Sequence, residues 1–169
     1  MLGRLGVRLA HRGEAPGAQR ALQEALDYDP ANRVARAELI DLLFGEGREL
    51  AALRALGSTA VIAYLERLSM QQPTRALEIV HKVLPELPGA TQAAAWELAA
   101  TIVEPNLAPD EELRRRRSAV REAARLWSDF GRELDHRRVR EVDLALAREG
   151  GEQQDILHSL QALSEFTPA

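Results

Sequence analysis

Residues 21–43, ALQEALDYDPANRVARAELIDLL, carry two apolar helical patterns separated by Asp29-Pro30-Ala31-Asn32. Pro30 has no backbone N–H and disfavours helix at the residue before it. Asp29 bonds nearby backbone and favours a turn. Asn32 is a good cap for a following helix. Helices joined by so short a turn lie antiparallel and share an apolar seam. A chain with this joint is committed to helix-on-helix packing.

The helices on either side of the joint share a repeat. Shifted by 34 residues, Leu5 falls on Leu39, Leu9 on Leu43, Gly13 on Gly47, Ala18 on Ala52 and Leu22 on Leu56. The period and residue types resemble the tetratricopeptide repeat. The first unit carries Leu2, Leu5-Gly6, Leu9, Ala18, Leu22 and Pro30, with Leu at three positions where that family prefers aromatics. Gly6 and Ala18 are small where two helices cross closely, and the large residues fill the holes beside them. The second unit departs: Ile40 stands where a small residue is expected, and Gly57-Ser58 end its second helix early. A third unit over 57–88 keeps the small–large pair Ala76 and Val80, with a break at Gln71-Gln72-Pro73. Arg67 interrupts its first helix.

Residues 91–103 are apolar nearly all round, which predicts burial on several sides. Helices follow over 110–129, with Asp110 as cap, over 132–148 and over 152–166. The coarse count is nine helices and no strand. The expected fold is all-α: stacked antiparallel helical hairpins, a tetratricopeptide-like α-solenoid over 1–104, and divergent helices over 105–169 packed continuously on it.

Composition narrows the chemistry. Aromatics are 4% of the 169 residues, so Leu, Ala and Val must build the core. There is no cysteine, which removes disulfides and thiolate zinc sites and fits a cytoplasmic setting. The net charge of −4 gives no global pull toward nucleic acid or anionic lipid. No run of 18 apolar residues spans a membrane. His11, His81, His136 and His158 lie on four separate segments and are expected at the surface or rim. There is no glycine-rich phosphate loop and no nucleophile elbow. No catalytic residue, metal or cofactor is expected.

Two surfaces stand out. The resemblance implies that the first helix of each hairpin lines a concave groove that binds peptides. Carried onto this chain, the groove comprises Val7, Ala10 and His11, then Val34, Ala37, Asp41 and Phe44, then Val61, Leu65 and Leu68. It lacks the Lys and Asn with which some family members clamp a partner's C-terminal carboxylate, and it is mostly apolar. Leu65→Asp is expected to abolish partner binding there and leave the helices intact. The tail residues Ile156, Leu157, Leu160 and Leu163 form one stripe, read first as a cap on the stack, and otherwise as a filler of the groove or a surface for a partner.

The second surface is RRRRSAVREAAR. Arg114, Arg117, Arg121 and Arg125 share one helix face, and Arg137, Arg138 and Arg140 extend it. Arg115 and Arg116 are expected to pair with Glu111 and Glu112 four residues before them. Such a stripe can hold phosphates, but no aromatic is interleaved for base stacking, and a solvated face is the plainer reading.

The leading expectation is a non-enzymatic scaffold that binds an apolar or amphipathic protein segment in the groove. The alternative is a regulatory or oligomerisation module of a transcription-related protein, its arginine stripe on nucleic acid or an acidic partner. A protein or peptide is the favoured partner, a homo-oligomer is a further option, nucleic acid is disfavoured, and no membrane is expected.

Overall fold

The computed structural model describes residues 2–151 and 153–164. Those residues form ten α-helices and one short 3-10 turn, one helix more than the coarse count, and no strand. The chain is all-α. It divides into two compact units, Met1–Tyr64 and Leu65–Ala169.

The first unit contains α1 (Leu2–His11), α2 (Ala15–Tyr28), α3 (Arg33–Gly45), α4 (Glu49–Leu56) and the start of α5 (Ser58–Gln71). The α2–α3 joint forms as its residues require. Asp29 Oδ1 accepts from the Ala31 N–H at 3.1 Å, and Asn32 Oδ1 caps α3 by accepting from the Ala35 N–H at 3.0 Å. α1 packs on α2, α2 on α3 and α3 on α4, and α1 also lies against α3. Gly6 is buried at the α1–α2 crossing: a β-carbon there would sit 2.6 Å from Leu22 Cγ. The expected packing of Leu2 lies outside the described side chains.

Repeat positions match in conformation better than in burial. Gly13 and Gly47 both adopt positive φ, 76° and 69°. In each joint the next residue's N–H bonds back to a carbonyl five residues earlier, Glu14 to Leu9 at 3.0 Å and Arg48 to Leu43 at 2.8 Å. Glycine takes this left-handed helix ending without a β-carbon penalty. Ala18, Ala52 and Ala76 are all completely buried. Leu5, however, is 43% exposed while its repeat mate Leu39 is 1% exposed. Among the described residues α3 packs on α1, α2 and α4, whereas α1 packs mainly on α2 and α3.

The second unit holds the rest of α5, then α6 (Pro73–Val83), the 3-10 turn Leu84–Glu86, α7 (Gly89–Thr101), α8 (Pro109–Asp129), α9 (Glu133–Gly150) and α10 (Gln153–Ser164). α7 packs on α6 and α8, α8 on α9, and α9 on α10. Helices on either side of residue 105 therefore belong to one packed body. The core is built from small residues, with Ala93, Ala95, Ala99, Ala123 and Ala124 wholly buried, as an aromatic-poor chain must do. α8 opens on Pro109, with Ala108 in the cap position, so Asp110 lies within the first turn and is not the cap.

The α8–α9 joint repeats the hairpin chemistry of the first unit. Gly131 has φ 63°, and the Arg132 N–H bonds to Trp127 O at 3.0 Å. The sequence carried a signal for this, because Gly47-Arg48-Glu49-Leu50 recurs as Gly131-Arg132-Glu133-Leu134. That recurrence falls off the 34-residue period, which is why a fixed-offset search misses it.

Candidate functional site

The expected groove residues separate into two groups. Phe44, Val61 and Leu65 are core residues, 2%, 0% and 0% exposed. Phe44 meets Tyr64 edge-on, with ring centroids 4.7 Å apart. They offer no surface, so Leu65→Asp would bury a charge and unsettle the fold rather than test binding. Leu68 is half-buried. The other positions remain open in the first unit: Val34 is 62% exposed, Asp41 and His11 are exposed, and Val7, Ala10 and Ala37 are half-buried. Val34, Ala37 and Asp41 are spaced 3 and 4 along α3 and share one side of it.

The arginine stripe is largely consumed by the fold. Arg117 points inward and is only 7% exposed. Its Nε donates to Asp143 Oδ1 of α9 at 3.3 Å, and its Nη1 donates to Asp155 of α10. Asp143 is 1% exposed and also accepts from Ser159 Oγ at 3.0 Å. Arg121 stands at the edge of this cluster, 3.8 Å from both Asp143 and Asp155. Arg125 is exposed and pairs along its own helix with Glu122 and Asp129, each at 3.1 Å. Arg114 alone of the four is exposed with no such partner among the described residues. Arg114, Arg117 and Arg121 line a cleft of about 680 Å³ with Ser118 and Asp155.

Arg115 and Arg116 do more than pair with neighbouring acids. Arg115 Nη1 donates to Ala99 O at 2.9 Å, its Nη2 donates to Ile102 O, and Arg116 Nε donates to Ala100 O at 2.9 Å. Two guanidiniums thus cap the open carbonyls at the C-terminal end of α7, where positive charge is favoured. Arg115 pairs with Glu112 at 2.7 Å, three residues before it, while Arg116 approaches Glu149 at 3.9 Å. Burial works to raise the Glu112 carboxyl. Hydrogen bonds from Arg115 and from the Glu104 N–H, with the charges of Arg115 and Arg116, outweigh it and hold Glu112 below its ordinary value.

The extension of the stripe on α9 meets the same fate. Arg138 grips Glu97 of α7 through two bonds, at 2.6 and 3.0 Å, and the Trp127 indole N–H donates to the same carboxylate. These bonds raise Arg138 above its ordinary value against the opposing effect of burial. Arg137 pairs with Glu141 at 3.4 Å, and Arg140 Nε donates to His136 Nε2 at 3.3 Å.

His136 is a core residue at 9% exposure, contrary to the expected rim position, while His11, His81 and His158 are exposed. Burial, then the charge of Arg115, lowers His81, with Glu104 opposing. Among the described residues no group of His, Asp and Glu is arranged to hold a metal ion, and no helix is long and apolar enough to cross a membrane.

The tail stripe divides: Ile156 and Leu163 are half-buried in α10. Leu157 and Leu160 are 66% and 43% exposed, whereas Ser159 is fully buried. The ends of the expected tail helix, residues 152, 165 and 166, lie outside the described residues. No protein-family model matches the chain, and no curated protein matches it.

Proposed function

We propose that the chain is a non-enzymatic interaction module of tetratricopeptide-like hairpins, and that it holds the apolar side of a partner helix along α1 and α3. The observation that carries this reading is Val34, 62% exposed on α3, with Ala37 half-buried and Asp41 exposed on the same side. α1 lies against α3 and adds the half-buried Val7 and Ala10. The small residues admit a helix closely, Val34 buries apolar area, and Asp41 orients a Lys or Arg of the partner. The close α1–α2 crossing at Gly6 and the matched turns at Gly13 and Gly47 support the hairpin part of the reading.

A displayed library of amphipathic helices, selected on the wild-type chain, tests it. Selected binders should lose about tenfold or more in affinity for Val34→Glu and for Ala37→Arg. Both positions are accessible, so circular dichroism should stay at the wild-type value. Binders indifferent to both substitutions would remove the α1–α3 face from the proposal.

A further inference from the structure

We propose that the cleft beside α8 is a phosphate-class oxyanion site that Asp155 keeps filled from within, and that an external anion exchanges with Asp155 and releases α10. The donors are in place and underused. Arg114 has no carboxylate partner among the described residues. Arg117 spends Nε and Nη1 on Asp143 and Asp155, but its Nη2 is buried with no hydrogen-bond partner. Arg121 stands 3.8 Å from both carboxylates, an ion-pair distance too long for a hydrogen bond. Ser118 adds a hydroxyl to the same wall. Buried donors left unmet are costly and are normally satisfied.

Charge selects the ligand. Asp143 is buried and fixed by Arg117 and Ser159. With Asp155 withdrawn, the guanidiniums of Arg114, Arg117 and Arg121 exceed the carboxylate of Asp143 by the charge of a phosphate dianion. A second carboxylate would repeat what Asp155 already does with two oxygens. A tetrahedral oxyanion presents more acceptors and can meet donors arriving from three side chains. Of the acids that also line the cleft, Glu122 pairs with Arg125 at 3.1 Å, while Asp110, in the first turn of α8, keeps its negative charge and opposes the anion.

Release follows from how α10 is held. Asp155 is in its first turn and Ser159 one turn later, and both bonds run to the same ionic cluster. Leu157 and Leu160 face solvent, and Ile156, Ala162 and Leu163 are only half-buried, so the apolar contribution that holds the helix is partial. The chain before it turns at Gly151, φ 69°, the left-handed cap that ends α9.

The test titrates the full chain with inorganic phosphate, and separately with O-phosphoserine, against chloride at matched ionic strength. The readouts are the side-chain Nε–Hε resonances of Arg114, Arg117 and Arg121, and amide exchange along α10. Saturable shifts with either phosphate, accompanied by faster α10 exchange, support the site, and the tighter ligand separates a free from an esterified source. Asp155→Asn, which removes the internal competitor, should tighten phosphate binding about tenfold or more. Arg114→Gln should abolish saturation with helical content unchanged. A chloride response equal to that of phosphate, an Asp155→Asn chain that binds no more tightly, or α10 protection that never changes would each overturn the proposal.

Discussion

Gly6 and Leu22 meet where α1 crosses α2, and the space between them admits no additional carbon: a β-carbon on Gly6 would lie 2.6 Å from Leu22 Cγ and 3.2 Å from the Leu22 backbone nitrogen. Leu22 is itself completely buried and cannot withdraw. Gly6→Ala should therefore destabilise the first unit by about 1–3 kcal/mol, as over-packing does. Gly3→Ala on the same helix meets only ordinary contacts, at 3.6–3.9 Å, and should be neutral or stabilising by up to about 1 kcal/mol. Urea unfolding of the pair checks both. Equal midpoints would mean that the helices can separate at Gly6 at little cost.

The turn glycines should behave alike despite their different neighbours. Gly13, Gly47 and Gly131 all have positive φ and open space where a β-carbon would stand. Alanine at any of them should cost about 1–2 kcal/mol through backbone strain alone. Asparagine should cost less, because it tolerates the left-handed region. Thermal or urea denaturation of the six variants would show whether the three joints are equivalent.

Asp143 offers a sharper test of the second unit. It is 1% exposed and partners Arg117, which is 7% exposed. Asp143→Ala leaves the guanidinium buried with one fewer carboxylate and should cost about 3–5 kcal/mol. Replacing the buried partners together, as Arg117→Met, Asp143→Leu and Ser159→Ala, should recover most of that loss. A triple variant as weak as the single one would place the cost in packing rather than in charge.

Glu112 links stability to pH. Its folded-state value lies below the ordinary 4.5, through the Arg115 and Glu104 bonds that overcome burial. The unfolded chain binds the proton first as pH falls. The Glu112 contribution is thus fully present above about 4.5 and is lost as pH drops through the lower folded value. Glu112→Gln should be less stable than wild type near neutrality, and the gap should close below that pH. Denaturant midpoints measured across the range decide it, and a gap independent of pH would contradict the ionic role.

Local chemistry was legible in the chain. Pro30 cannot continue a helix, Asp29 and Asn32 bond their own neighbourhood, and glycine at 13 and 47 suits a left-handed turn, so these joints formed where the residues alone required them. All-helical character, the α1–α2 crossing at Gly6 and the early stop at Gly57 follow from the same short-range causes. Which apolar positions face outward was not local. Phe44, Val61 and Leu65 lie on helices, as expected, yet they are buried, because burial depends on which helices arrive from elsewhere.

The run Arg114–Arg117 states the division most plainly. The helical repeat puts Arg114, Arg117, Arg121 and Arg125 on one face of α8, and the first three line one cleft. Only tertiary structure decided that Arg115 and Arg116 cap α7, and that Arg117 is buried against Asp143 and Asp155, 26 and 38 residues away. A helix period sets the direction of a side chain, while its partner depends on the long-range packing of α7, α9 and α10, which no short window of sequence contains.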